Sequence, residues 1–255
     1  MNFKCPFHND INASLSLKNK KFICYGCKTK GKISTNFVTK KFDFFFDKNT
    51  ILNAKKNFYI KKNFWLKYLI IRNINMNISL KFNLGLLNFS YKKINQNIFF
   101  NRLIFPILNE NNILIGIGLK TNNKKNKYLN IFKNNINNNF VFFGINNIKN
   151  FNFVIIVEGY FDLLTIYKNN FINVICLLGC NINFNKINFL LFKFKKIYFC
   201  LDGDYAGYFS SEKIKQDFKI YYKKRIFIKN MPKNLDPDSF INLYGIKSFL
   251  KYLIK

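Results

Sequence analysis

The sequence predicts an α/β protein in three parts: a small zinc ribbon at the amino terminus, an α+β segment, and a mostly parallel α/β sheet. Three observations carry that expectation. Cys5, His8, Cys24 and Cys27 form two close pairs separated by fifteen residues. Arg102 to Lys120 reads as two antiparallel strands around an Asn-rich turn. From Phe153 onward, short apolar runs alternate with helical stretches, and that alternation builds parallel strands joined by right-handed crossovers.

At 255 residues and 49% hydrophobic, the chain is long and apolar enough to bury a substantial core, which excludes a disordered tail. Forty-two Lys and Arg against 12 Asp and Glu give a formal charge of +30, pointing to a polyanionic partner, nucleic acid first and an anionic membrane surface second. Lys, Asn, Ile and Phe are inflated together, as A·T-rich codon usage produces, so the charge alone does not fix the partner. Lys or Asn interrupts every apolar run before the ~18 residues a membrane span needs. The opening MNFKCPFHND has no apolar signal core, so a soluble intracellular chain is expected, with its six cysteines reduced.

The first pair is C-x2-H and the second C-x2-C, spaced so that four ligands can meet tetrahedrally around a structural Zn2+. Between them, Ser14-Leu15-Ser16-Leu17 and Lys21-Phe22-Ile23 alternate like two ribbon strands. So small a module draws its folding energy from the metal, on the order of 10 kcal/mol or more. Cys176, Cys180 and Cys200 lie in apolar runs and read as core cysteines. The expected organisation is a ribbon over 1–35, a Lys-, Phe- and Asn-rich linker over 36–62, an α+β segment over 63–150 and the parallel sheet over 151–255. Residues 64–89 read as helical. Arg102, Lys120, Lys127, Tyr128 and Asn130 together make a basic edge with an aromatic, the surface that tracks a phosphate backbone and stacks bases.

The sheet is expected as strand 153–158, helix 160–169, strand 173–179, helix 184–192, strand 196–202, helix 205–219 and strand 224–229. Two strands end in acid: Glu158 after VIIV, and Asp202 after IYFCL. Asp202 and Asp204 stand at i and i+2, Asp236 and Asp238 repeat that spacing around Pro237, and Asp162 follows Glu158 by four. Half of the chain's 12 acids are therefore grouped at strand ends. Like charges ~4–6 Å apart repel by a few kcal/mol even at an effective dielectric of ~20, so such a group is tolerated mainly around a cation. Hard oxygen donors suit Mg2+ or Mn2+, and a divalent metal beside basic residues means phosphoryl chemistry. Salt bridges to lysines, or helix N-caps at Asp204 and Asp238, are the competing structural reading.

EGYFD, LDGD and LDPDSF, in that order at strand ends, resemble the Toprim fold of topoisomerases, DnaG-type bacterial primases and some nucleases. The CPFH…CYGC ribbon resembles the zinc-binding domain of bacterial primase. RLIFPI…GIGLK…KYLN resembles the amino-terminal part of that family's RNA polymerase domain, and WLKYLIIRNI…LGLL the helical stretch before it.

The resemblance implies a DNA-templated RNA polymerase that makes short primers for DNA replication. Glu158, Asp162, Asp202, Asp204, Asp236 and Asp238 match the family's metal-binding carboxylates, with Glu158, Asp202 and Asp204 as its catalytic group. Arg102, Lys120, Lys127, Tyr128 and Asn130 match its ridge for template and nucleotide, and Cys5, His8, Cys24 and Cys27 its zinc ligands. Single-stranded DNA, ribonucleoside triphosphates and a replicative helicase or polymerase are the implied partners. The implied location is the nucleoid of a reduced, A·T-rich bacterium or an organelle. Another Toprim enzyme, topoisomerase or nuclease, is the first alternative, and a non-catalytic single-strand binding remnant the second.

The chain also departs from the pattern. Lys120 stands where the family has Arg, replacing a planar fork by a point charge, and Leu119 replaces a glycine. Ile136 to Phe140 offers only asparagines where a lysine is usual, and Phe143-Gly144 replaces Tyr-Gly. Only four residues precede Cys5, and the chain stops at Lys255, ahead of the family's closing helical subdomain and helicase-binding domain.

Overall fold

The computed structural model describes residues 2–3, 14–18, 21–32, 48–60, 63–88, 100–122, 127–133, 136–137, 140–179 and 182–254. They fall into two units, Met1–Ile107 with Leu114–Ile136, and Leu108–Ile113 with Asn137–Lys255.

In the first unit, β1 (Asn2–Phe3), β2 (Leu15–Lys18), β3 (Lys21–Cys24) and β4 (Lys30–Lys32) form an antiparallel ribbon in that order. The alternation read at residues 14–17 and 21–23 is the β2–β3 pair, with Leu15 opposite Cys24. Three helices follow: α1 (Lys48–Ile60), α2 (Phe64–Ile71) and α3 (Met76–Lys81). A second sheet has the order β5 (Gly85–Asn88), β6 (Phe100–Leu108), β7 (Leu114–Lys120), β8 (Tyr128–Phe132). Its core joins Ala54 of α1 to Leu87, Ile104, Ile117, Leu119, Leu129 and Ile131.

The helix expected over 64–89 is two helices and a strand. Asparagines do the punctuating. The Asn63 and Asn75 side chains accept from Leu66 N and Ile78 N, capping α2 and α3. Asn73 and Asn83 follow those helices with φ of 54° and 55°, the left-handed conformation that ends a helix. After Asn83 the chain turns extended, and Leu86 and Leu87 pair with Leu103 and Arg102 of β6.

In the second unit the elements run β9 (Phe153–Val157), α4 (Tyr160–Lys168), β10 (Val174–Cys176), α5 (Phe184–Lys193), β11 (Lys196–Leu201), α6 (Tyr205–Asp217), β12 (Ile226–Asn230) and α7 (Pro237–Ile254). All strand pairs are parallel, in the order β10-β9-β11-β12. Val154, Ile156, Ile175, Leu190, Phe194, Ile197 and Phe199 form its core. β9 steps to β10 on one side, and the chain then crosses back to β11 on the other. That reversal makes the carboxyl ends of β9 and β11 a topological switch point, where open α/β sheets bind ligands.

Candidate functional site

Glu158 immediately follows β9 and Asp202 immediately follows β11. The Asp202 backbone N–H donates to Glu158 Oε1 at 3.0 Å, so the two strand ends are joined at the switch point by a carboxylate. The Cys176 thiol at the end of β10 donates to the Glu158 carbonyl at 3.0 Å, fixing the same residue from the other neighbour. Glu158 is buried, 8% exposed.

Close backbone approach brings in the third loop. A side chain on Gly203 would meet the Pro232 carbonyl at 2.0 Å, and one on Gly207 the Asp202 carbonyl at 2.2 Å. Glycine at 203 lets the Asp202–Asp204 turn lie against the segment leading to Asp236, and glycine at 207 lets the first turn of α6 lie against Asp202. Gly203 N–H donates to Leu235 O at 2.8 Å, and Asn234 N–H to Gly203 O at 2.9 Å.

The six acids divide by what their oxygens do. Asp162 is buried, its Oδ2 accepting from Gly159 N at 2.9 Å and its Oδ1 from Asp238 N at 3.0 Å. Asp238 is buried as well, and its Oδ1 accepts from the Thr165 hydroxyl at 2.6 Å and Asn242 Nδ2 at 2.9 Å. This pair therefore clamps α4 to α7. Asp204 caps α6, accepting from Gly207 N at 2.8 Å. Asp236 caps α7, accepting from Ser239 N at 2.7 Å. The caps expected at Asp204 and Asp238 thus fall at Asp204 and Asp236. Asp202 differs from the rest: its Oδ1 is buried and has no hydrogen-bond partner among the described residues.

Electrostatics mark the same group. The Asp202 carboxyl is pushed up to about 7, by burial first and then by Glu158, Asp236 and Asp204. Asp162 is pushed well above the usual range by burial, then by Asp236 and Asp202. Among the described residues no lysine or arginine ion-pairs with Asp162, Asp202, Asp204 or Asp236; the bridges there are Lys193–Glu110 and Lys215–Glu212.

The donor set fits a hard divalent cation. Asp202 Oδ1 is an orphaned buried oxygen, and burial with the neighbouring carboxylates pushes the Asp202 carboxyl up, a cost that a cation would relieve. Among the described residues, no three His, Cys, Asp or Glu side chains form a ready-made cage.

The basic residues lie in the first unit. Arg102 on β6 is 7% exposed, and neither Nε nor Nη1 has a partner among the described residues. Lys120 ends β7 and is 3% exposed, its Nζ donating to the Tyr128 hydroxyl at 3.0 Å and lying 4.3 Å from that ring and 5.7 Å from the Tyr68 ring. Burial, then Lys127 and Arg72, lower the Lys120 ammonium to about 7. Lys120 pairs with Tyr128 across the β7–β8 register and Gly118 with Asn130, so three of the five expected residues share one strand pair. Lys127 and Tyr128 are exposed.

In the ribbon, Cys24 and Cys27 flank the turn after β3. Cys27 N–H donates to Cys24 Sγ at 3.3 Å, and Ser14 Oγ and Thr29 Oγ1 lie 3.2 and 3.0 Å from Cys24 Sγ and Cys27 Sγ. Cys5 and His8 lie outside the described residues.

Sequence reasoning did not single out Thr165 or Asn242, and read Cys176 only as a core cysteine. Their signal is spatial: a lone hydroxyl, amide or thiol becomes informative only once the fold sets it against a buried carboxylate or its backbone.

Residues 152–228 match the Toprim domain family. Over 98% of its length the chain is 27% identical to the DNA primase of Rickettsia typhi, of which the alignment covers 54%. Among solved structures, the zinc-binding and RNA polymerase domains of Aquifex aeolicus primase match at TM-score 0.68 with 22% identity, over 98% of this chain and 77% of that one. A DnaG primase catalytic domain bound to single-stranded DNA matches at 0.68 with 17% identity, over 81% and 78%. Residues 152–228 are therefore similar to Toprim domains, the chain shares the fold of DnaG-type primase structures, and it spans about half the length of the curated relatives it matches.

Proposed function

We propose that this chain is the polymerising core of a DNA primase, a DNA-templated RNA polymerase that joins ribonucleotides into short primers for replication. The observation that carries the reading is the Glu158–Asp202 junction at the switch point, with an unsatisfied buried carboxylate oxygen beside an acid that holds both strand ends. It is supported by the similarity to primases along nearly the whole chain and by the single-stranded DNA held by one structural neighbour.

In this reading Glu158 and Asp202 would hold Mg2+ or Mn2+, with Asp204 and Asp236, whose charges act on Asp202, as further candidate ligands. The bound cation would neutralise triphosphate charge and favour in-line attack of a 3′-hydroxyl on the α-phosphate, with pyrophosphate leaving. Asp162 and Asp238 have a different task, because both Asp162 oxygens and Asp238 Oδ1 accept hydrogen bonds, from Gly159 N, Asp238 N, Thr165 and Asn242. They fix the wall from which Glu158 projects. The elevated Asp202 carboxyl accepts a proton readily near neutrality, so cation and proton compete for it.

Arg102, Lys120, Lys127, Tyr128 and Asn130 bind template and nucleotide. The Arg102 guanidinium, buried with Nε and Nη1 unpaired among the described residues, offers donors that suit an anion such as phosphate. Cys5, His8, Cys24 and Cys27 would hold a structural Zn2+; the N–H that Cys27 offers to Cys24 Sγ keeps the second pair close together. Among the described residues no helix is long and apolar enough to cross a membrane, in keeping with work in the nucleoid beside a helicase or polymerase. Incubation with single-stranded DNA, four ribonucleotides and Mg2+ or Mn2+ tests the reading: short RNA products support it, whereas nicking or relaxation of DNA without nucleotides supports a nuclease or topoisomerase.

A further inference from the structure

The first turn of α6 reverses the usual pattern of a surface helix. Its buried face is small, made of Gly207, Ser210, Ser211 and Ile214, while its large aromatics face solvent. Tyr205 is 86% exposed, Tyr208 48% and Phe209 64%. Positions i, i+3 and i+4 put the three on one side of the helix. A helix that buries serines and exposes phenylalanine gains little from hydrophobic burial, and such departures from consistent patterning concentrate at functional sites.

A second group of rings lies on α7, where burial, and then the charge of Tyr208, raise the Tyr252 phenol above its ordinary value. The Tyr252 ring lies 5.4 Å from Phe240, which lies 4.9 Å from Tyr244, itself 59% exposed. Lys229 Nζ stands 5.8 Å from the Tyr252 ring, and the exposed Lys213 continues the Tyr205–Phe209 side of α6. The result is an exposed aromatic face, Tyr205, Tyr208 and Phe209, that carries Lys213 and also Glu212, whose charge Lys215 offsets. It begins at Tyr205, one residue past the Asp204 cap and three past Asp202.

We propose that this surface is a stacking platform for the bases of a single-stranded nucleic acid. Exposed rings interleaved with lysines match a polymer of flat bases on an anionic backbone, and the platform starts where the phosphates would be handled. A second copy of the chain is a poor occupant, because each copy carries +30. The proposal rests on the polymerase reading and adds a base-contacting surface to it.

The test compares a fluorescent oligo(dT) with an abasic oligomer of equal length, which keeps the phosphates and removes the bases. The intact chain is expected to bind oligo(dT) more tightly. In a Tyr205→Ser, Phe209→Ser double variant, oligo(dT) affinity is expected to fall about tenfold or more, with the salt dependence unchanged and abasic binding unaffected. Tyr205→Trp should retain oligo(dT) binding. Equal binding of the two oligomers by the parent chain, or an equal loss on both in the double variant, overturns the platform. Either result leaves the polymerase reading to its own primer-synthesis assay. Sedimentation in which the parent self-associates and the double variant does not would assign the surface to protein contact, and also overturns the proposal.

Discussion

Asp202 N–H and Glu158 Oε1 lie 3.0 Å apart, so one acid of the site is also the hinge pin between β9 and β11. Glu158 is thereby held by the element that carries its partner acid. Glu158→Gln keeps an acceptor for Asp202 N–H and removes the charge, so its unfolding free energy should stay within about 1 kcal/mol of the parent. Glu158→Ala leaves a buried donor unsatisfied and should cost about 1–3 kcal/mol. Urea denaturation of the two variants distinguishes them; equal stability would mean the hydrogen bond holds nothing.

The raised carboxyls make stability depend on pH in a stated direction. Asp202 is pushed up to about 7 from 3.8, and Asp162 also moves up. Between about 4 and 7 the native chain binds more protons than the unfolded one, so the contribution of these groups is full at low pH and is lost as pH rises through 7. Metal-free protein should therefore melt at a lower temperature at pH 7.5 than at pH 5.5, and Asp202→Asn should flatten that slope. Added Mg2+ or Mn2+ should raise the melting temperature more at pH 8 than at pH 6, because protons compete below 7. Calorimetry across that range checks the sign, and a metal effect larger at pH 6 would contradict it.

Thr165 donates to Asp238 Oδ1 at 2.6 Å within the contact between α4 and α7. Thr165→Val removes a donor from a buried carboxylate and should cost about 1–3 kcal/mol. The Mg2+ concentration giving half-maximal primer synthesis should not change, since Asp238 is assigned to the wall of the site. A shift in that concentration at unchanged stability would instead make Asp238 a ligand.

Zinc analysis of the purified chain should find one ion, and Cys24→Ser or Cys27→Ser should abolish it. Chelation should unfold the ribbon while leaving the melting of the parallel sheet in place, because the ribbon's few core residues depend on the metal. Far-ultraviolet circular dichroism during chelator titration reads both. Zinc-free protein with an intact ribbon would overturn the assignment.

Much of the second unit was legible because its strands are short, apolar and β-branched: VIIV, and IYFCL ending in acid, announce buried parallel strands. The first unit was less so. Asn63, Asn73, Asn75 and Asn83 cap or terminate α2 and α3, and reading residues 64–89 as helical without giving them a role merged two helices and β5. At the site, spacing identified six acids but not their division of labour. Asp162 and Asp238 meet because residues 76 apart are brought together by the packing of α4 on α7, a relationship no local pattern encodes. The solvent-facing rings of α6 escaped notice for a similar reason. Tyr, Phe and Ser at helical spacing say nothing of which face is buried until Gly207 and Ser211 are seen against the sheet.

The most direct test is primer synthesis on single-stranded DNA with four ribonucleotides and Mg2+ or Mn2+, comparing the parent chain with Glu158→Gln at matched stability. The parent should make short RNA products, and the variant at least about a hundredfold fewer. Products made at the parent's rate by Glu158→Gln would contradict the assignment of the catalytic carboxylates. A parent chain that binds single-stranded DNA yet incorporates no nucleotide with either metal would contradict the polymerase itself.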